Sequence, residues 1–196
     1  MNRPQSIFTC TIGLVLFLAG PAALLCTAAD TGFDKTLTRE GVSFKVTCAN
    51  NGSINTLHLN VSGLKKGDAA ISREIDGSVA GAEVGDLDGN GLPEVYVFIS
   101  SAGSGSYGDV VAYSLNSDDE LQAIALAPLE DDPQNLEGYM GHDNFTLTSK
   151  TLIRSFPIYR KNDPNSSPSG GKRQIRYGLV HTDKGFLLRP VCMSKQ

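Results

Sequence analysis

A period of two runs along most of the chain. Val42, Phe44, Val46 and Cys48 alternate with polar neighbours, as do Leu57, Leu59 and Val61. Further on, Phe145 and Leu147 alternate, and so do Leu152, Arg154, Phe156 and Ile158. Successive side chains of a strand point to opposite faces, so this spacing predicts strands with one face buried. Val95, Tyr96, Val97, Phe98 and Ile99 are apolar without a break, which predicts a central strand covered on both sides. Val110, Val111, Ala112 and Tyr113 are its expected hairpin partner. Only the segment 121–127 reads as helical, and it is short. Glycine-rich breaks at Asn51–Gly52, Gly63, Gly77, 89–91, 103–108 and Gly170–Gly171 separate the strands. Many short strands between such breaks mean a sandwich or a barrel. The expectation is an all-β, antiparallel β-sandwich of one domain. Residues 162–171, rich in Ser, Pro and Gly, read as a mobile surface loop, because strand-like sequence resumes after them.

The first residues depart from this pattern. Arg3 supplies a positive charge, 11–25 is almost wholly apolar, and Thr27, Ala28 and Ala29 close the segment with small side chains. This is the make-up of an export signal, residues 1–29, cleaved before Asp30. The apolar stretch is too short for a comfortable membrane span, and Pro21 interrupts it. Leu25 stands before Cys26 where a lipoprotein signal wants a small residue, which argues against a lipid anchor. The mature domain is then 30–196, periplasmic or secreted, with no membrane contact once the signal is gone. Cys10 and Cys26 leave with the signal, so Cys48 and Cys192 remain. In an oxidising compartment they are expected to form one disulfide, worth about 4–5 kcal/mol in the chain-entropy model; two buried thiols are the alternative. Two cysteines without a histidine partner do not make a zinc site.

Charge is divided unevenly. Residues 30–150 carry 7 basic and 19 acidic side chains, whereas 151–196 carry 9 and 2. An acidic body argues against nucleic acid and is compatible with a cationic partner, or with a basic tail that pairs with the body.

Three segments could carry chemistry. Gly103, Ser104, Gly105, Ser106, Tyr107 and Gly108 match G-x-G-x-x-G, but a dinucleotide site needs a helix next, and Asp109 to Tyr113 reads as strand. Neither serine sits in a G-x-S-x-G elbow. What remains is a hairpin loop of Ser, Gly and one Tyr, the composition of a protein-binding loop and also of an ordinary flexible connection. In the second segment, Asp86, Asp88, Asn90 and Glu94 place oxygens at alternate positions around a glycine turn, like part of a calcium loop. A full EF-hand would need an acid where Val97 stands, and a tight hairpin explains the same residues. The third, Tyr139, Met140, Gly141, His142, Asp143 and Asn144, sets an aromatic, an imidazole and a carboxylate in one turn. No nucleophile accompanies His142 and Asp143, so a second binding turn fits better than a catalytic pair. His58 and His181 are weak candidates. Nothing calls for a cofactor, and no constellation of an enzyme is present.

The export signal, the all-β domain of this length, the run from Gly85 to Val97 and the loop Ser104, Gly105, Ser106, Tyr107 together resemble the periplasmic inhibitors of i-type (invertebrate) lysozymes. The resemblance implies a β-sandwich that inhibits i-type lysozyme by inserting loops into the substrate cleft. It would thereby shield bacterial peptidoglycan from an animal host's enzyme. On that likeness Ser104 would hydrogen-bond the lysozyme's catalytic carboxylates and Tyr107 would fill a neighbouring sugar subsite. Tyr139, His142 and Asp143 would add a second contact. The alternative is an exported calcium- or carbohydrate-binding β-module centred on Asp86, Asp88, Asn90 and Glu94. Whether the protein forms a homodimer is left open by the sequence.

Overall fold

The computed structural model describes residues 32–191, which lie in one compact unit, Thr31–Gln196. The expected export signal, 1–29, and Cys192 fall outside the described residues.

Among the described residues, twelve strands form two sheets. The first is a four-stranded antiparallel meander of β1 (Phe33–Arg39), β2 (Val42–Cys48), β3 (Ile54–Ser62) and β4 (Ala69–Asp76). Gly77 is then the single residue between the sheets. The second sheet has eight strands in the order β5-β6-β7-β8-β12-β11-β10-β9. Its members are β5 (Ser78–Gly85), β6 (Glu94–Ser100), β7 (Gly108–Leu115), β8 (Leu121–Leu126), β9 (Asn144–Leu147), β10 (Leu152–Pro157), β11 (Lys172–Thr182) and β12 (Gly185–Pro190). A single 3-10 turn, Leu129–Asp131, and one helical turn, α1 (Pro133–Leu136), follow β8. The side chain of Asp132 caps α1 by accepting from the Asn135 N–H, and Pro133 starts it where no amide donor is needed.

Two asparagines, Asn55 buried and Asn50 half-buried, hold the corner where the chain changes sheets. Asn55 Nδ2 donates to Gly52 O and Gly77 O, each at 2.7 Å. Asn50 exchanges two 2.9 Å bonds with the backbone of Val79 on β5. Each amide answers backbone groups that the bend leaves without ladder partners.

The expected two-sided strand is β6. Val95, Val97 and Ile99 enter a core shared with Phe44, Val46, Leu57, Leu59 and Val61 of the first sheet. Tyr96 and Phe98, on the opposite pleat, enter a second core with Val110, Phe145, Leu152, Phe156, Tyr177 and Leu188. That second core lies inside the eight-stranded sheet, which curls until its edge strands approach each other. Phe145 of β9 stacks on Phe98 at 5.6 Å, and the Leu147 N–H reaches Glu83 Oε1 of β5 at 3.4 Å. The expected hairpin pairs β6 with β7, Val97 opposite Val111.

Three expectations change. The segment 121–127, read as helical, is strand β8: its alanines suit a helix, but pairing with β7 and β12 buries Ile124 and outweighs local propensity. The sandwich is not wholly antiparallel, since β8 and β12 run parallel, Phe186 opposite Ile124. A parallel pair needs a long crossover, and the chain between them, through α1 and three strands, provides one. The loop 162–171 is on the surface but is organised: Asp163 accepts from Arg160 N at 2.8 Å and from Ser169 N at 2.7 Å. Those bonds hold the exposed Asp163 carboxyl below its ordinary range, the Arg160 bond first.

The cores predict a sharp contrast. Leu59→Ala should lower unfolding free energy by about 2–5 kcal/mol in urea titration, while Ile54→Ala, at 55% exposure, should change it by less than about 0.5 kcal/mol.

Candidate functional site

The β6–β7 connection, the turn 139–143 and the loop 158–171 converge at one end of the domain. The β6–β7 loop closes on itself first. Ser101 N donates to Tyr107 O at 2.9 Å, and Tyr107 N donates to Ser101 Oγ at 2.9 Å. Ser106 N reaches Gly103 O at 3.2 Å, with Ser106 at a φ of 43°. The other two segments then tie down its tip. His142 N donates to Gly105 O at 2.6 Å, and Asn165 Nδ2 donates to Ser104 O at 2.9 Å. Asn165 Oδ1 also meets His142 Nε2 at 3.2 Å, and the His142 ring stacks on Tyr159 at 6.2 Å.

Gly141 permits this approach. Its φ is +87°, and a Cβ there would collide with Gly105 O. A side chain would both strain the turn and push it off the loop. Gly108, at the start of β7, is crowded too: a Cβ would lie 2.5 Å from Asp143 Cβ.

Beneath the turn lies a buried polar cluster. Arg154 Nε donates to Asp143 Oδ1 at 2.6 Å, with side-chain exposures of 6% and 0%. Asp143 Oδ2 accepts from the Gly108 N–H at 2.7 Å and from the Tyr139 hydroxyl at 2.6 Å. Arg154 Nη2 donates to the Tyr139 oxygen at 2.6 Å. Burial would lower the pKa of Arg154, but the hydrogen bond and charge of Asp143 hold it above its ordinary value. The Tyr139 phenol is pushed up, by burial first and then by its bond to Asp143. The Tyr139 ring packs edge-on between Tyr107 at 5.6 Å and Phe156 at 4.7 Å, under the Arg154 guanidinium.

The sequence candidates therefore divide. Ser104 and Tyr107 are exposed, Tyr107 by 51%, and Gly105 and Ser106 are half-buried. Met140 is exposed on the adjoining turn. Asp143, expected as a contact residue, turns its carboxylate wholly inward, because β7, Tyr139 and Arg154 all compete for it. Tyr139 and His142 are half-buried and brace the loop. Arg154, Tyr159 and Asn165 were not singled out as site residues. Only Arg154 left a signal, a charge at an inward position of an alternating strand. A shallow groove runs from Tyr107 past Asp109, Glu130 and Leu136 to Tyr139. His58 is exposed and pairs with Ser72, and His181 packs edge-on against Phe186.

At the other end of β6 lies the Asp86–Glu94 turn. Oxygens of Asp86, Asp88 and Glu94 lie within 4.8 Å of one another. Glu94, with no exposed surface, accepts from Leu87 N at 2.8 Å and from the Tyr96 hydroxyl at 3.3 Å through Oε2. Burial raises its pKa to about 7; the Leu87 N–H opposes the rise, and the Asp88 and Asp86 charges add to it.

Residues 66–140 match the family model described as periplasmic lysozyme inhibitor of I-type lysozyme. The match runs from before β4 to Tyr139 and Met140, so it includes the Asp86–Glu94 turn and the β6–β7 loop but stops short of Asp143 and Arg154. No curated protein and no solved structure matches the chain. The family is one of inhibitors rather than enzymes, and it is periplasmic, the compartment the sequence predicts.

The buried cluster yields two predictions. Asp143→Ala leaves the Arg154 guanidinium buried without its counter-charge, and should cost about 3–5 kcal/mol in denaturant unfolding. The double variant Asp143→Leu with Arg154→Met should recover much of that loss. The second concerns alkaline pH. The folded chain keeps the Tyr139 proton where the unfolded chain, with an ordinary value of 10.0, loses it. The stabilisation is thus fully present below that pH and is lost progressively as pH rises from there toward the higher folded-state value. Melting temperature should fall from about pH 9 to about pH 11, and less steeply in Tyr139→Phe.

Proposed function

Taking the similarity of residues 66–140 to the periplasmic inhibitors of I-type lysozyme as premise, we propose that this chain stops an i-type lysozyme by filling its substrate cleft. The loop Ser104, Gly105, Ser106, Tyr107 enters the cleft. Ser104 hydrogen-bonds the catalytic carboxylates, and Tyr107 occupies a neighbouring sugar subsite. Met140 and His142 lie along the rim, while Tyr139, Asp143 and Arg154 stay within the inhibitor and set the loop's position. Bacterial peptidoglycan is thereby spared from an animal host's enzyme.

The observation that carries this reading is the bracing of an exposed tip. The Ser104 side chain is exposed, while the carbonyls of Ser104 and Gly105 are held from behind by Asn165 and His142. Docking such a loop costs little conformational entropy, which is what an inhibitor without chemistry of its own needs. A single exposed tyrosine supported edge-on by a second gives a rigid amphipathic anchor. The glycines leave the tip narrow, so that backbone as well as hydroxyl groups can approach the floor of a cleft.

The rest of the molecule fits the same life outside the cytoplasm. Residues 1–29 act as the export signal and 30–196 as the mature domain. Cys48, buried at the end of β2, pairs with Cys192 in the oxidising periplasm.

The test is the residual activity of an i-type lysozyme on bacterial cell walls, titrated with the mature protein. Stoichiometric loss is expected, with Ser104→Ala and Tyr107→Ala each weakening inhibition by about 2 kcal/mol or more, roughly thirtyfold. Both variants should melt like the parent, because both side chains lie at the surface. Full inhibition by both variants would remove the loop from the mechanism. No inhibition by the parent at large molar excess would overturn the function itself.

A further inference from the structure

We propose that Asp86, Asp88, Asn90 and Glu94 form a calcium site that clamps the β5–β6 connection, at the end of β6 remote from the binding loop. The inference is independent of the lysozyme reading. It rests first on the convergence of three carboxylates whose ligand oxygens lie within 4.8 Å of one another. Like charges so close repel, so the turn holds them together against a standing electrostatic cost.

A second observation points inward to a ligand. Glu94 has no exposed surface, and while Oε2 is satisfied, Oε1 has no hydrogen-bond partner. Asp86 Oδ1 is likewise buried without a partner. Two orphaned carboxylate oxygens in one buried corner lose hydration with nothing in return, a cost that a bound cation removes. The cations nearby do not meet this need. Arg39 Nη2 stands 3.8 Å from the other oxygen of Asp86, with its own Nε buried and without a partner, and Lys150 Nζ lies near Gly89.

Chemistry selects calcium among cations. The donors are all oxygen and alternate along the chain, and Asn90, whose side-chain carbonyl accepts from Leu92 N at 2.7 Å, lies on the same turn. Gly89 and Gly91, at φ of 75° and 80°, let the backbone wrap. Calcium accepts six to eight oxygens in a flexible shell, whereas magnesium demands a strict octahedron and keeps its water. The turn already hydrogen-bonds to itself, Asp86 Oδ2 accepting from Gly91 N at 3.1 Å and Asp88 Oδ1 from Asn90 N at 3.1 Å. The loop is therefore shaped before an ion arrives. An affinity typical of extracellular modules, Kd of about 10⁻⁴–10⁻³ M, is expected.

The experiment uses mature protein freed of metal with a chelator, titrated with calcium chloride by calorimetry and melted with and without the ion. One calcium per chain is expected, with a melting temperature raised by about 5 °C or more at concentrations well above Kd. Magnesium should give a smaller shift. Glu94→Gln should abolish the response. Asp88→Asn, at an exposed position that leaves the fold intact, should weaken calcium at least about tenfold. Absence of both heat and a melting shift at about 10 mM calcium would overturn the site, leaving Glu94 as a carboxyl kept neutral by a proton. So would a calcium response that survives undiminished in Asp88→Asn.

Discussion

Arg154 stands on β10 between Leu152 and Phe156, on the face that β10 turns into the second core. A guanidinium there has to be neutralised and hydrogen-bonded on the spot, or the strand could not bury that face. Asp143 answers it from the turn before β9, Tyr139 from the start of the same turn, and Gly108 from the start of β7. One buried ion pair thus fixes three segments that are far apart in sequence. The exposed loop inherits its position from them, since its tip hangs on the His142 amide, one residue before Asp143.

The same economy appears along β6. Its odd positions fill the core between the sheets and its even positions fill the core inside the curled sheet. A strand buried on both faces and paired on both edges has little freedom to shift, because a slip of one residue would exchange the two sets of side chains. The β6–β7 loop leaves one end of this strand and the acidic turn enters the other. Two surface features of different chemistry are therefore set on the most constrained element of the domain, where position is best defined.

Cleft occlusion and cation binding ask different things of the chain. An occluding loop must expose hydroxyl and aromatic groups while its carbonyls are satisfied from behind, which is the arrangement of Ser104, Gly105 and Tyr107. A cation site must do the reverse and turn oxygens inward without partners, as one oxygen each of Glu94 and Asp86 is turned. The two ends of β6 thus differ in hydrogen-bond state, the loop carbonyls being satisfied and one oxygen each of Glu94 and Asp86 lacking a partner.

By itself the sequence determined where strands would run: β2, β3 and β10 follow the period of two, a local property, while β6 and β7 are legible as unbroken apolar runs. It also determined which loops were rich in glycine and hydroxyls, and so which segment could approach a partner. Tertiary structure alone decided the rest. The alanines of β8 favour a helix until two neighbouring strands claim its backbone. Asp143 reads as a surface group until Arg154 is brought beneath it from the next strand but one. The loop 162–171 reads as unconstrained until Asn165 meets Ser104. In each case the deciding partner stands on another element, and burial of a polar group depends on what stands across from it rather than on its immediate neighbours in the chain.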